Sequence, residues 1–275
     1  MEKYKLKKLQ KLELDILKQF IEICDKYNLN YSLAYGTLIG AVRHNGFIPW
    51  DDDIDVAMPR DDYDKFCKIM ESQPLKGYFF QSYVTEPQCG LVFGKIRKDN
   101  TVLSEIYSHH INMHQGIWID IFPYDKVSNY KIKRKIDYLM FLVWKNMYIV
   151  KCDYNMPPNR SKIGYIFYYI VKFANLFLSR GFLINRVEKS MTKYKNKSTN
   201  YVFSYTDNNV EQKKFPSELL DHYCFLDFEG EKVKSFKKYD YYLRKNYGDY
   251  MILPPEDQRA NGSGHFIKEF RSNSL

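Results

Sequence analysis

Cysteine is scarce and scattered: five residues in a chain of 275, at positions 24, 67, 89, 152 and 224, with no CxxC pair. An odd, dispersed set excludes a disulfide framework and a thiolate zinc site, and reads as reduced cytosolic thiols. Long uncharged runs are missing as well. The most apolar stretch, IGYIFYYIVKFANLFL at residues 163–178, contains Lys172 and falls short of the roughly 20 residues that a membrane span needs. The opening MEKYKLKKLQKLELDILKQF is charged throughout, unlike a secretory leader. Acid is nearly absent from one segment. Residues 126–200 hold 16 Lys and Arg against Asp137, Asp153 and Glu188, a net of +13, while the whole chain is +9 and the remainder therefore −4. A basic segment beside a near-neutral core points to an anionic surface as partner. No nucleic-acid recognition motif accompanies it, which makes nucleic acid an unlikely partner by sequence.

What the chain has in excess is aspartate in one place. Tyr35 to Asp64 reads YGTLIGAVRHNGFIPWDDDIDVAMPRDDYD, with Asp51, Asp52, Asp53 and Asp55 inside five residues. Like charge packed this closely is costly unless a cation neutralises it or water solvates it. Asp53-Ile54-Asp55-Val56 alternates, so on a strand both carboxylates share one face and both apolar residues enter a core. Two such carboxylates suit a hard divalent cation; Mg²⁺ fits best, with Mn²⁺ as an alternative. Gly36, Thr37 and Gly40 upstream would let a backbone turn approach a phosphate. Asp61, Asp62 and Asp64 read instead as the solvated first turn of a helix opening at Pro59.

Gly36-Thr37 followed by Asp53-x-Asp55 resembles the nucleotidyltransferase-fold signature. The longer string GTLIGAVRHNGFIPWDDDIDVAMPRDDYDKF resembles the LicD family, bacterial phosphocholine transferases and relatives that include fukutin and fukutin-related protein. GIWIDIFPYD (Gly116 to Asp125) and YGDYMILPPEDQR (Tyr247 to Arg259) extend the resemblance to both ends of the chain. Residues 126–200 carry no familiar motif.

Along the chain, the pattern predicts an amphipathic helix over 2–27 and a short strand at 31–35. A helix over Leu38–Arg43 should stop at Gly46, before a strand over Asp53–Ala57 and a helix over 60–71. Strands are expected at 78–83 and 91–97; the second puts Lys95 and Arg97 on one face, suited to a diphosphate or to a solvent-facing edge. Trp118 to Phe122 reads as a buried strand. Asp120, flanked by isoleucines, needs a cation there, the alternative being a buried structural carboxylate held by hydrogen bonds. By the resemblance it is the third carboxylate of the metal site. Asp125 reads as a turn residue, and His109, His110 and His114 as loop histidines without ligand spacing. Residues 126–200 read as helical, with 163–178 either packed in the core or lying in a membrane interface. Strands at 201–207 and 223–230, a helix at 238–246 and a loose tail from Asn261 complete the prediction.

These readings combine into an α/β fold: a small mixed sheet of nucleotidyltransferase type flanked by helices. The expected division is a catalytic core at 1–125, a basic helical insertion at 126–200 and a returning segment at 201–275. The resemblance implies transfer of a phosphoryl-alcohol from a CDP-linked donor, CDP-choline foremost, to a hydroxyl of a glycan or lipid-linked saccharide. Such acceptors belong to teichoic acid, capsule or lipopolysaccharide, reached from the inner face of the cytoplasmic membrane. It also implies that Asp53, Asp55 and Asp120, with Asp51, hold Mg²⁺. One of these carboxylates, or Asp52, would take the acceptor proton, while Arg43, Lys95 and Arg97 balance charge. Two other classes stay open: a nucleotidyltransferase that releases pyrophosphate, and a catalytically inactive membrane- or nucleic-acid-binding module.

Overall fold

The computed structural model describes residues 3–155, 162–259 and 267–272. The amphipathic pattern at the N-terminus forms α1 (Lys3–Lys26), whose Leu9, Ile16, Phe20 and Cys24 are buried. There follow β1 (Ser32–Leu33), α2 (Tyr35–His44), β2 (Asp55–Pro59), α3 (Arg60–Ser72), β3 (Tyr78–Gln81), β4 (Gly94–Lys98), β5 (Thr101–Glu105) and β6 (Trp118–Val127). Next come α4 (Lys131–Lys151), α5 (Lys162–Ala174), α6 (Arg180–Met191), β7 (Tyr201–Phe203), α7 (Val210–Lys213) and β8 (Phe215–Pro216). The chain closes with β9 (Tyr223–Phe228), β10 (Glu231–Phe236), α8 (Tyr239–Tyr247) and β11 (Ile267–Ser272).

The main sheet has strand order β1-β2-β6-β4-β3. It is mixed, as the sequence predicts: β2 runs parallel to β6, and the other pairs in that order are antiparallel. The parallel pair lies in the middle, where Ile54, Val56, Ile119 and Ile121 are fully buried and helices can cover both faces. α2 starts two residues after β1 and ends at Asn45, which takes the left-handed conformation at φ 52°. The expected stop at Gly46 is thus one residue late, since asparagine also tolerates that conformation. Gly40 has a different purpose. A Cβ there would stand 2.4 Å from the Gly46 carbonyl oxygen, so only glycine lets α2 lie against the loop that leads to the aspartates.

β6 is twice as long as predicted. Its residues 118–124 pair with β2 and β4, and its last three pair with β7, which extends the same sheet together with β8. Around that end lies a second apolar cluster, built from Phe141 and Tyr148 of α4, Leu183 and Val187 of α6, and Phe203 of β7. β6 therefore runs through residue 125, where the basic composition begins. Asp125 is not a turn residue. It is buried in β6 and receives both arms of the Arg60 guanidinium, Nε at 2.6 Å and Nη2 at 2.7 Å. Asp62, expected in solvent, is buried too and accepts from the Asn30 amide at 3.2 Å. Removing one partner of a buried ion pair strands the other. Asp125→Ala should therefore cost about 3–5 kcal/mol in urea unfolding, while Asp61→Ala, at an exposed pair with Lys195, should cost under about 1 kcal/mol.

Other differences are strand pairings that local pattern does not carry. Residues 223–230 contribute β9, which forms a hairpin with β10. The hairpin turns at Glu229 and Gly230, both with positive φ, the backbone a two-residue type I′ turn demands. The predicted strand at 201–207 shortens to β7. The tail is not wholly loose either: β11 pairs antiparallel with β5, and residues 260–266 lie outside the described residues.

Candidate active site

Asp55, Asp120, Lys95 and Gln81 occupy directly opposed positions across the four strands β2, β6, β4 and β3. Opposed residues project from the same face of a sheet, so one polar row crosses its centre. Asp120 has the cation its buried position requires: Lys95 Nζ stands 2.9 Å from Oδ1, and both side chains are at most 5% exposed. The same ammonium lies 4.0 Å from the centre of the Trp118 ring.

Asp53 lies just before β2 rather than in it. Its companions are Asp51 and Asp52: among the described residues, these three form a group whose ligand oxygens all fall within 4.8 Å of one another. Asp51 and Asp53 are buried, so bulk water does not dilute their repulsion. The loop is fixed from several sides. Gln10 of α1 donates to the Asp51 carbonyl at 2.9 Å. Asp51 Oδ2 comes so near the start of α2 that a Cβ on Gly36 would lie 2.8 Å from it. Thr37 is buried, and its hydroxyl accepts from the Asp55 amide at 2.9 Å. Gly36 and Thr37 thus belong to the first turn of α2, where they position the carboxylates. An all-carboxylate oxygen set of this kind fits Mg²⁺ or Mn²⁺ by donor chemistry.

The cations differ from expectation. Lys95 and Arg97 do share a face, but both are buried in internal contacts. Arg97 donates to Gln81 Oε1 at 2.6 Å and to the Gly116 carbonyl at 2.7 Å, with its guanidinium over Trp118. Neither is a solvent-facing edge residue or an open phosphate clamp, because β4 is an interior strand between β3 and β6 and the Trp118 ring lies against both cations. Arg43 is nearer the surface. It donates to the Tyr250 carbonyl at 2.7 Å, and burial together with Arg259 lowers its pKa. Arg259 in turn lies over the Trp50 ring at 5.4 Å. Two mutually repelling guanidiniums therefore stand beside the aspartate loop, where an anion would relieve them. Arg259 carries no sign in the sequence beyond its place at the end of YGDYMILPPEDQR. His114 is held away from the carboxylates, stacked on Phe79 and 3.0 Å from Asp99.

One acidic residue joins this region that sequence reasoning left without a role. Asp207 follows β7 in a turn, and its Oδ2 accepts from the Tyr35 hydroxyl at 2.9 Å. Burial pushes its carboxyl up to about 6, against the opposing pull of Tyr35 and Lys213. Tyr247 of α8, half exposed at the surface, lies in this same field: desolvation of its inner part raises its phenol, and Asp55, Asp207, Asp51 and Asp53 raise it further. The only sequence signal was an acid at the end of an apolar run, YVFSYTD.

Residues 28–157 match the family model described as LicD/FKTN/FKRP, nucleotidyltransferase domain. The lipopolysaccharide cholinephosphotransferase LicD of Haemophilus influenzae is 32% identical over 275 residues, covering 98% of each chain. The chain belongs to the LicD family. An uncharacterised protein of Rickettsia typhi and another of Rickettsia prowazekii are each 36% identical over 77 residues, 28% of this chain. They cover 25% and 29% of those two proteins. The family model ends near the close of α4, and the Haemophilus relative, covering 98% of the chain, extends past it into the segment that carries Asp207, Tyr247 and Arg259.

Proposed function

We propose that this LicD-family chain transfers phosphocholine from CDP-choline to a hydroxyl of a cell-envelope glycan precursor and releases CMP. The precursor is of lipopolysaccharide, teichoic-acid or capsule type, and the chain works as a peripheral protein at the cytoplasmic face of the membrane. The observation that carries this reading is the full-length match to a cholinephosphotransferase; the carboxylate set found in the fold supports it.

Asp51, Asp52 and Asp53, with Asp55 and Asp120 on the adjoining strands, would hold the Mg²⁺. The ion when bound supplies charge neutralisation for the diphosphate and its leaving group. The chain's own groups supply the rest. Thr37 and Gly36 hold the Asp51–Asp55 segment in place. Lys95 fixes the orientation of Asp120. Arg43 and Arg259 face the region with positive charge that a nucleotide phosphate would balance. The acceptor oxygen forms the new bond to phosphorus as the bond to CMP breaks, and its proton passes to a carboxylate. Asp207 suits that role, because a base with pKa near 6 is mostly ionised at neutral pH yet still basic enough to accept a proton. Asp52, less buried, is the alternative.

Thermal-shift measurements with Mg²⁺ against CDP-choline, CDP-glycerol, CDP-ribitol, CTP and ATP test the reading. A ligand at roughly 100 times its Kd adds about 2.7 kcal/mol to the native state, worth several degrees in a chain of this size. CDP-choline should give that shift, and CMP should appear on addition of acceptor. A shift with triphosphates alone, followed by pyrophosphate release, would replace this reading with nucleotidyl transfer. No shift with any ligand would favour a binding module.

A further inference from the structure

α5 turns an apolar side outward. Tyr169, Ile170 and Phe173, with Leu176 and Phe177 in the turn that follows, are 60 to 77% exposed, while Val171 and Asn175 face inward. The spacing 169, 170, 173, 176, 177 is one helical stripe. Single exposed apolar residues are ordinary, but five large ones in a row are not. α4, held to the end of α5 through bonds between Asn175 and the carbonyl of Met147 and between Lys151 and the carbonyl of Asn175, presents a second stripe: Ile132, Ile136, Leu139 and Met140. Along the sequence, the charge around the α5 stripe has one sign; in α4, Asp137 is paired with Lys193. Between Asp153 and Glu188 the chain has no acid and carries Arg160, Lys162, Lys172, Arg180 and Arg186. Among the described residues, no helix is long and apolar enough to cross a membrane.

We propose that α5 and its following turn lie in the plane of an anionic bilayer, with Tyr169, Ile170, Phe173, Leu176 and Phe177 at the acyl boundary and the flanking cations among the headgroups. Aromatic and aliphatic residues on one side of a helix, with lysine and arginine around them and no acid, are the physical requirements of an interfacial helix. A second copy of this chain would bring the same positive charge to the contact, which disfavours self-association there. The inference deepens the proposed function, since it gives the enzyme a way to meet a lipid-borne acceptor, but its test does not use catalysis.

Flotation of the purified chain with phosphatidylglycerol–phosphatidylcholine vesicles, and with phosphatidylcholine alone, supplies that test. The wild type should float with the anionic vesicles, much less with neutral ones, and less as salt rises. Phe173→Ser/Phe177→Ser should lose at least about tenfold in partition, given the worth of two buried phenylalanines. Both positions are exposed, so the variant should keep its melting temperature and its CMP release toward a water-soluble acceptor. Absence of flotation, or equal flotation of wild type and variant, would overturn the proposal. So would self-association without lipid that the variant abolishes, since a second copy would then cover the face. Vesicle binding without CMP release from CDP-choline would leave this inference standing and sink the proposed function.

Discussion

Asp53→Asn should leave the chain folded and lower CMP release from CDP-choline by on the order of 10²–10³-fold, the loss typical when one charge-stabilising group is removed. The stability half of this expectation follows from electrostatics. Asp53 shares a buried loop with Asp51 and Asp52, their oxygens within 4.8 Å. Replacing one of three crowded carboxylates by an amide of the same shape reduces like-charge repulsion. In Mg²⁺-free buffer the variant should therefore melt no lower than wild type. Added Mg²⁺ should raise the wild-type midpoint by mass action and the variant's far less. Activity loss with a normal Mg²⁺ response would move Asp53 from metal ligation to substrate contact. Full activity in Asp53→Asn would remove the carboxylate loop from the mechanism and return weight to an inactive binding module.

The contrast with Asp125 shows what the sequence could reveal of this region. Both are buried aspartates in motifs that resemble the LicD family, yet Asp125 meets Arg60 across the fold and Asp53 shares its loop with two further carboxylates. Local pattern cannot separate these cases. Alternation and the isoleucines around Asp120 were enough to predict a buried strand and a required cation. They could not say that the cation is Lys95, because that depends on the register between β4 and β6. The shared face of Lys95 and Arg97 was likewise readable, and its burial was not. That burial follows from β4 lying between β3 and β6, with Trp118 and the Gly116 carbonyl brought against its cations, a tertiary event.

Helices with a clear 3.6-residue period, α1 and α3, were legible because their burial pattern is written within a few turns. Strands whose partners are distant were not. β11 pairs with β5 across more than 160 residues, and β9 needs β10 to be a strand at all. The outward stripe of α5 lay between two readings, since periodicity gives the stripe but not which side faces the protein. Asp207 was illegible for the same reason: its meaning comes from Tyr35, 172 residues earlier in the chain.

Asp207→Asn should produce opposite changes in stability and activity. The folded value of about 6 lies above the ordinary 3.8, so the native state binds this proton more tightly than the unfolded chain does. The site's contribution to stability is full below about pH 4 and is lost as pH rises through about 6. At pH 8 the native chain holds an ionised, largely buried carboxylate at a cost of up to about 3 kcal/mol, at about 1.36 kcal/mol per pKa unit. Partial exposure reduces this to about 1–2 kcal/mol through solvent screening. Asparagine keeps an oxygen to accept from Tyr35 and carries no charge. Urea unfolding at pH 8 should thus show the variant more stable by about 1–2 kcal/mol, with the gap closing toward pH 4. Turnover should fall by about 10²–10⁴-fold, the usual worth of a general base. The acid limb of the wild-type kcat/KM profile near pH 6 should vanish with it, while KM for CDP-choline changes little. If KM rises and kcat holds, Asp207 instead binds the cationic choline, for which a carboxylate beside Tyr35 and Tyr247 is also suited. If neither moves, the raised carboxyl is a feature of packing alone, and Asp52 becomes the carboxylate to test for the acceptor proton.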